Sequence, residues 1–128
     1  MNINSQIPFL GSIQDNLKYL LDKTEEKLSD KKDIYTSLIK EEYEEFMAEK
    51  DGTPEQFKEL CDLIWVCIQK ANKQGYDLNT GMMALVEEYT SKFYTADGKY
   101  EPIYREDGKL LKNTGFKKAD FTKIFRKD

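Results

Sequence analysis

Residues 34–75, IYTSLIKEEYEEFMAEKDGTPEQFKELCDLIWVCIQKANKQG, read as two helices joined by a tight turn. The break between them is explicit. Asp51-Gly52 carries turn chemistry, Thr53 is a helix N-cap, Pro54 suits the first helical position and Gln56 completes a capping box. The spacing therefore predicts one helix from about Lys32 to Lys50 and another from Thr53 to about Gln74, where Gly75 ends it.

Two further helices flank this pair. Ile13, Leu17, Leu20 and Leu21 recur at helical intervals, giving an amphipathic helix over 12–29. Asp77 is a cap for another over 78–93, with Met82, Val86, Tyr89 and Phe93 in one stripe. Beyond Phe93 the pattern changes: Gly98 and Gly108 each follow an aspartate, Pro102 interrupts, and residues 103–111 fit a small hairpin around Asp107-Gly108. The expected organisation is a single all-α domain over residues 1–128, with a helical bundle over about 12–93 and an irregular basic tail over about 94–128. No internal repeat is evident.

The chain has 128 residues, 34% of them charged, and a net charge of −4. That length suits one domain, and the charge argues against a general nucleic-acid coat. No apolar run is long enough for a membrane span and no leader is evident. The absence of histidine excludes Ser-His and Cys-His catalysis and His-ligated zinc, so chemistry must rest on carboxylates, lysines, tyrosines, a metal ion or water. Cys61 and Cys67 lie about 9 Å apart along one helix, beyond disulfide reach. They read as packed, reduced thiols, which fits a cytoplasmic protein, or the host cytoplasm for a viral one.

The net charge conceals a polarised molecule. Residues 41–62 carry nine acids and two bases, whereas residues 92–128 carry ten bases and six acids. Acidic runs are commonly solvated helix faces, and angular position tests that explanation. At about 100° per residue, the arc of Ile34, Tyr35, Leu38, Ile39 and Phe46 contains Glu42 and Glu45, has Glu41 on its edge and leaves Glu44 pointing away. Carboxylates facing inward need protons, cations or a metal ion. No arginine occurs in the first 104 residues, and Lys40 and Lys50 fall on outer or flanking arcs. A divalent cation is the natural partner, and oxygen ligands alone select Mg²⁺ or Mn²⁺.

The next helix has a main apolar arc of Phe57, Leu60, Ile64, Cys67, Ile68 and Ala71, with Glu59 and Asp62 on a second face beside Val66. That second face is either wet or turned towards the carboxylates of the preceding helix, which would free the main arc for a core or a subunit interface. Periodicity does not choose between these.

Glu41-Glu42-x-x-Glu45, a loop and then Glu59-x-x-Asp62 resemble the Mg²⁺-binding signature of the all-α nucleoside triphosphate pyrophosphohydrolases. This MazG-like superfamily includes dimeric dUTPases and phosphoribosyl-ATP pyrophosphohydrolases. Ser91-Lys92-Phe93, Asp97-Gly98-Lys99 and Tyr104-Arg105-Glu106-Asp107-Gly108-Lys109-x-x-Lys112 resemble the tail of the phosphoribosyl-ATP-pyrophosphohydrolase-like branch. Together the matches span about residues 34–120. The resemblance implies a four-to-five-helix bundle, a homodimer or dimer of dimers, and hydrolysis of a nucleoside triphosphate between its α and β phosphates. It implies that Glu41, Glu45, Glu59 and Asp62 hold two or three Mg²⁺ ions, with Mn²⁺ a possible substitute, and that Glu42 orients or deprotonates the attacking water. Lys92, Lys109 and Lys112 become candidates for phosphate contacts. Tyr89 stands where the family often has an asparagine.

Trp65, the only tryptophan, lies off the main apolar arc and is a candidate for packing, an interface or stacking on a base. Tyr100 and Tyr104 fit anchors of the tail, and Met82 and Met83 fit core filling. No partnership with nucleic acid or membrane is expected. The alternative function is a non-catalytic helical module that binds nucleotides or a protein partner, and a scaffold with solvated acids is a third.

Overall fold

A computed structural model describes residues 18–20, 22–24 and 33–126. These residues are mostly helical and contain no extended strand, in keeping with the all-α class. Their helices are α1 (Tyr35–Ala48), α2 (Pro54–Gln74) and α3 (Leu78–Ser91), followed by a short 3₁₀ turn over Phe121–Lys123. Residues 18–20 and 22–24, inside the helix expected over 12–29, are helical, and Tyr19 and Leu20 are exposed. Ile13, Leu17 and Leu21 lie outside the described residues. No described helix is long and apolar enough to cross a membrane.

The chain divides into two compact units between Leu78 and Asn79, so that nearly all of α3 shares a unit with the tail. In the first unit α1 and α2 pack as a helical hairpin. Its turn follows the capping chemistry of the sequence. Thr53 Oγ1 accepts from the Gln56 amide at 3.1 Å, and Gln56 Oε1 accepts in return from the Gly52 amide at 3.1 Å. At the opposite end Asp33 closes the hairpin: its carboxylate accepts from the Tyr35 amide at the start of α1, from Lys70 Nζ at 2.7 Å and from Gln74 Nε2 at 2.8 Å. Lys70, and then the Tyr35 amide, hold the Asp33 carboxyl below its usual range.

The main apolar arc of α2 is buried only in its second half. Val66, Ile68 and Ala71 are buried, yet Phe57 is 68% exposed, and Leu60, Ile64 and Cys67 are exposed as well. Along its first half α2 gives α1 its other face, where Glu59 and Asp62 are half-buried. Cys61 and Cys67 are free thiols, exposed rather than packed, and partial burial pushes the Cys67 thiol up, away from the reactive thiolate.

The second unit contains a repeat that the sequence reading missed. Tyr94 pairs with Tyr100 and Tyr104 with Leu110, each around an Asp-Gly-Lys turn. The hydrogen bonds correspond one for one: Thr95 N–H donates to Lys99 O and Arg105 N–H to Lys109 O, while Gly98 N–H donates to Thr95 O and Gly108 N–H to Arg105 O. Gly98 and Gly108 take φ of 86° and 93°, a left-handed backbone that side chains resist. The second copy is the hairpin expected around Asp107-Gly108.

The segment after the second turn is tied back to the end of α3 and to the first turn. Ser91 Oγ donates to Glu88 O at 2.6 Å and accepts from the Lys117 amide at 2.8 Å, and Glu88 Oε1 accepts from the Ala119 amide at 3.0 Å. Gly115 N–H donates to Tyr94 O and Ala96 N–H to Thr114 Oγ1, both at 2.9 Å. Tyr89, Phe93, Tyr94 and Tyr100 form a chain of ring contacts with centroids 5.7–6.1 Å apart, and Leu110 is buried. The tail is thus an ordered unit of hydrogen-bonded turns, with Leu110 buried and the rings of Tyr89, Tyr94 and Tyr100 in contact but exposed.

Candidate metal centre

Two glutamates from α1 and one from α2 converge across the hairpin. Glu42, Glu45 and Glu59 each offer a carboxylate oxygen, and these oxygens all lie within 4.8 Å of one another. Glu42 and Glu45 are nearly one turn apart on a single helix face, and the tight turn brings Glu59 opposite them. Glu42 and Glu59 are half-buried, and Glu45 is exposed.

The electrostatics of this trio are unfavourable as they stand. Glu42 Oε2 and Glu59 Oε2 are shielded from solvent and accept no hydrogen bond. Burial, and then the neighbouring Glu45 carboxyl, push the Glu59 carboxyl above its ordinary value. Carboxylates gathered in this way are relieved by a shared proton or by a cation. A divalent cation fits the donor set, because all three ligands are hard oxygens.

Of the five acids singled out in the sequence, the structure brings together Glu42, Glu45 and Glu59. Glu41 is exposed and lies outside the trio, as does Glu44. Asp62 is half-buried, and its Oδ2 accepts from Lys58 Nζ one turn earlier on α2. Sequence reasoning overlooked Lys58, although its spacing of four from Asp62 was legible. Asp33 was overlooked too, because its partners lie at the far end of another helix.

Trp65 is partly exposed on α2. In the second unit Lys92 sits over the Tyr89 ring at 5.5 Å and Lys112 over the Phe116 ring at 4.8 Å. Tyr89 is thus a ring partner of Lys92. Lys109 is exposed, and its backbone amide donates to Asp107 Oδ1 at 3.2 Å.

Comparisons of the chain with protein-family models, with curated proteins and with solved structures return no match.

Proposed function

We propose that the protein is a divalent-cation-dependent nucleoside triphosphate pyrophosphohydrolase of the MazG-like type. The observation that carries this reading is the trio of Glu42, Glu45 and Glu59, with two shielded oxygens that no donor satisfies. Its place on a helical hairpin, in the spacing of the family signature, supports the same reading.

Glu45 and Glu59 would hold the ion, with Glu42 as the third carboxylate beside it. A bound Mg²⁺ would neutralise charge on phosphate oxygens and lower the pKa of water. The chain's own task is to keep these carboxylates fixed and to take up one proton. Hydrolysis adds water across the α–β anhydride: the water oxygen bonds to the α phosphorus, the bridging bond breaks towards pyrophosphate, and a carboxylate accepts the proton released. Glu42 is the group assigned to that proton, because its family position is the base and its half-buried carboxyl faces the other two.

Assembly into a homodimer or a dimer of dimers belongs to the same reading. It is supported by the exposed Phe57, Leu60 and Ile64 in the first half of α2, an apolar stripe that a second subunit would cover. The test is pyrophosphate release by the full chain from a panel of ribo- and deoxynucleoside triphosphates with Mg²⁺ or Mn²⁺, with its mass in solution measured on the same sample. Release of pyrophosphate and monophosphate by an oligomer is expected. Silence across the panel contradicts the activity, and a fully active monomer contradicts the assembly.

A further inference from the structure

We propose that the second unit holds a binding site for a small phosphomonoester that carries a flat ring. The site is the cavity between the end of α3, the first Asp-Gly-Lys turn and the segment 113–117, and it draws nothing from the carboxylates of the first unit.

The cavity has a volume of about 400 Å³, and Ser91, Tyr94, Thr95, Thr114, Phe116 and Lys117 supply its side-chain lining. That volume falls within the range of small-ligand sites. Three hydrogen bonds hold its walls in place. Tyr94 O accepts from Gly115 N–H, Thr114 Oγ1 accepts from Ala96 N–H, and Ser91 Oγ accepts from the Lys117 amide. The closing segment cannot fall into the space without giving up these bonds, so the cavity is preformed. A Cβ at Gly98, which also lines it, would meet nothing within 4 Å.

The lining selects the ligand. Two of its hydroxyls are already spent: Ser91 Oγ donates to Glu88 O, while Thr95 Oγ1 donates to Asp97 and accepts from the Lys99 amide. Thr114 Oγ1 accepts from Ala96, and among the described residues no acceptor takes its own proton. Lys117 pairs with no carboxylate among the described residues, and no acid lines the cavity. Residues 109–118 carry four lysines and no acid, and Lys112 Nζ stands 4.8 Å from the centre of the Phe116 ring. A hydroxyl donor and an ammonium within a positive segment match a phosphate, which lysine binds as a point charge. Tyr94 and Phe116 offer apolar wall to a flat ring. A bare anion would leave those walls and most of the volume unused.

The experiment is titration of the metal-free full chain in EDTA, followed by backbone amide NMR, with phenyl phosphate, inorganic phosphate, benzoate and benzyl alcohol as probes. Phenyl phosphate is expected to move the Thr95, Gly98, Gly115 and Lys117 amides along one saturable curve. Inorganic phosphate lacks the ring and benzyl alcohol lacks the charge, and each is expected to bind about tenfold more weakly. Lys117→Met keeps the length of an exposed side chain without its charge. It is expected to weaken phenyl phosphate about tenfold, the low end for a hydrogen bond to a charged group, with an unchanged melting temperature. Lys118→Met, outside the lining, should leave binding as it is. No saturable shift at these amides, or an equal loss in both variants, overturns the site. Inorganic phosphate bound as tightly as phenyl phosphate overturns the ring, and benzoate bound as tightly overturns the phosphate. Each of these outcomes stands apart from the metal-binding reading, because EDTA removes divalent ions throughout.

Discussion

Glu42→Gln is expected to cut Mg²⁺-dependent pyrophosphate release by about 10²–10⁴-fold, the usual contribution of a positioned general base. Glutamine matches glutamate in shape, so the packing of α1 against α2 is retained. One carboxylate fewer in a crowded trio also removes repulsion, and the melting temperature of the metal-free variant should equal or exceed that of the wild type. Steady-state turnover and thermal melting on one preparation separate the two effects. A Glu42→Gln variant with full turnover excludes Glu42 from any essential role, and one that fails to fold shows that the carboxylate is structural.

Gly115→Ala is expected to destabilise the second unit by about 3 kcal/mol, the upper part of the range for overpacking. A Cβ at residue 115 would lie 2.5 Å from Tyr94 O and 2.6 Å from Thr95 O. Both are backbone atoms, and neither can swing aside as a flexible side chain would. The same approach carries the bond from Gly115 N–H to Tyr94 O, which ties the end of the tail to its first turn. Urea unfolding with hydrogen exchange reads the effect, and the Gly115 and Ala96 amides should lose protection together. Gly81→Ala is the control, because a Cβ there meets Phe121 at an ordinary 3.7 Å. Wild-type stability in Gly115→Ala would show that the tail relaxes around a methyl group and is looser than its hydrogen bonds imply.

Much of the first unit was legible because its signals are local. Thr53, Pro54 and Gln56 state where α2 begins, and Gly75 states where it ends. The angular positions of Glu42 and Glu45 relative to Leu38 and Phe46 are set by helix geometry alone, and this explains why both reach the trio. What periodicity lacks is the identity of the facing element. It groups Phe57, Leu60 and Ile64 as one stripe but is silent on whether that stripe meets α1, and in the structure the stripe is exposed while Val66 and the half-buried Glu59 take the inner face. Asp33 escaped notice for the same reason, since its bonds to Lys70 and Gln74 join residues far apart in the chain. Lys58 was missed because lysines were sought beside α1 rather than on α2. In the tail, Asp107-Gly108 read as a turn by itself, although Tyr94-x-x-Asp97-Gly98-Lys99 and Tyr104-x-x-Asp107-Gly108-Lys109 stand ten residues apart in the sequence, and the matching backbone bonds show the two as copies of one turn.

The claim beneath all of this is that Glu42, Glu45 and Glu59 converge to share a cation. Thermal melting of the full chain against Mg²⁺ concentration tests it most directly, with the wild type set beside a variant carrying Glu42→Gln, Glu45→Gln and Glu59→Gln together. Selective binding to the folded state should raise wild-type stability, by about 2.7 kcal/mol at a hundred times the dissociation constant. The triple variant should start more stable without metal and gain nothing from Mg²⁺. Superimposable wild-type curves with and without millimolar Mg²⁺, or an equal gain in the triple variant, would show that these carboxylates are not a cation site.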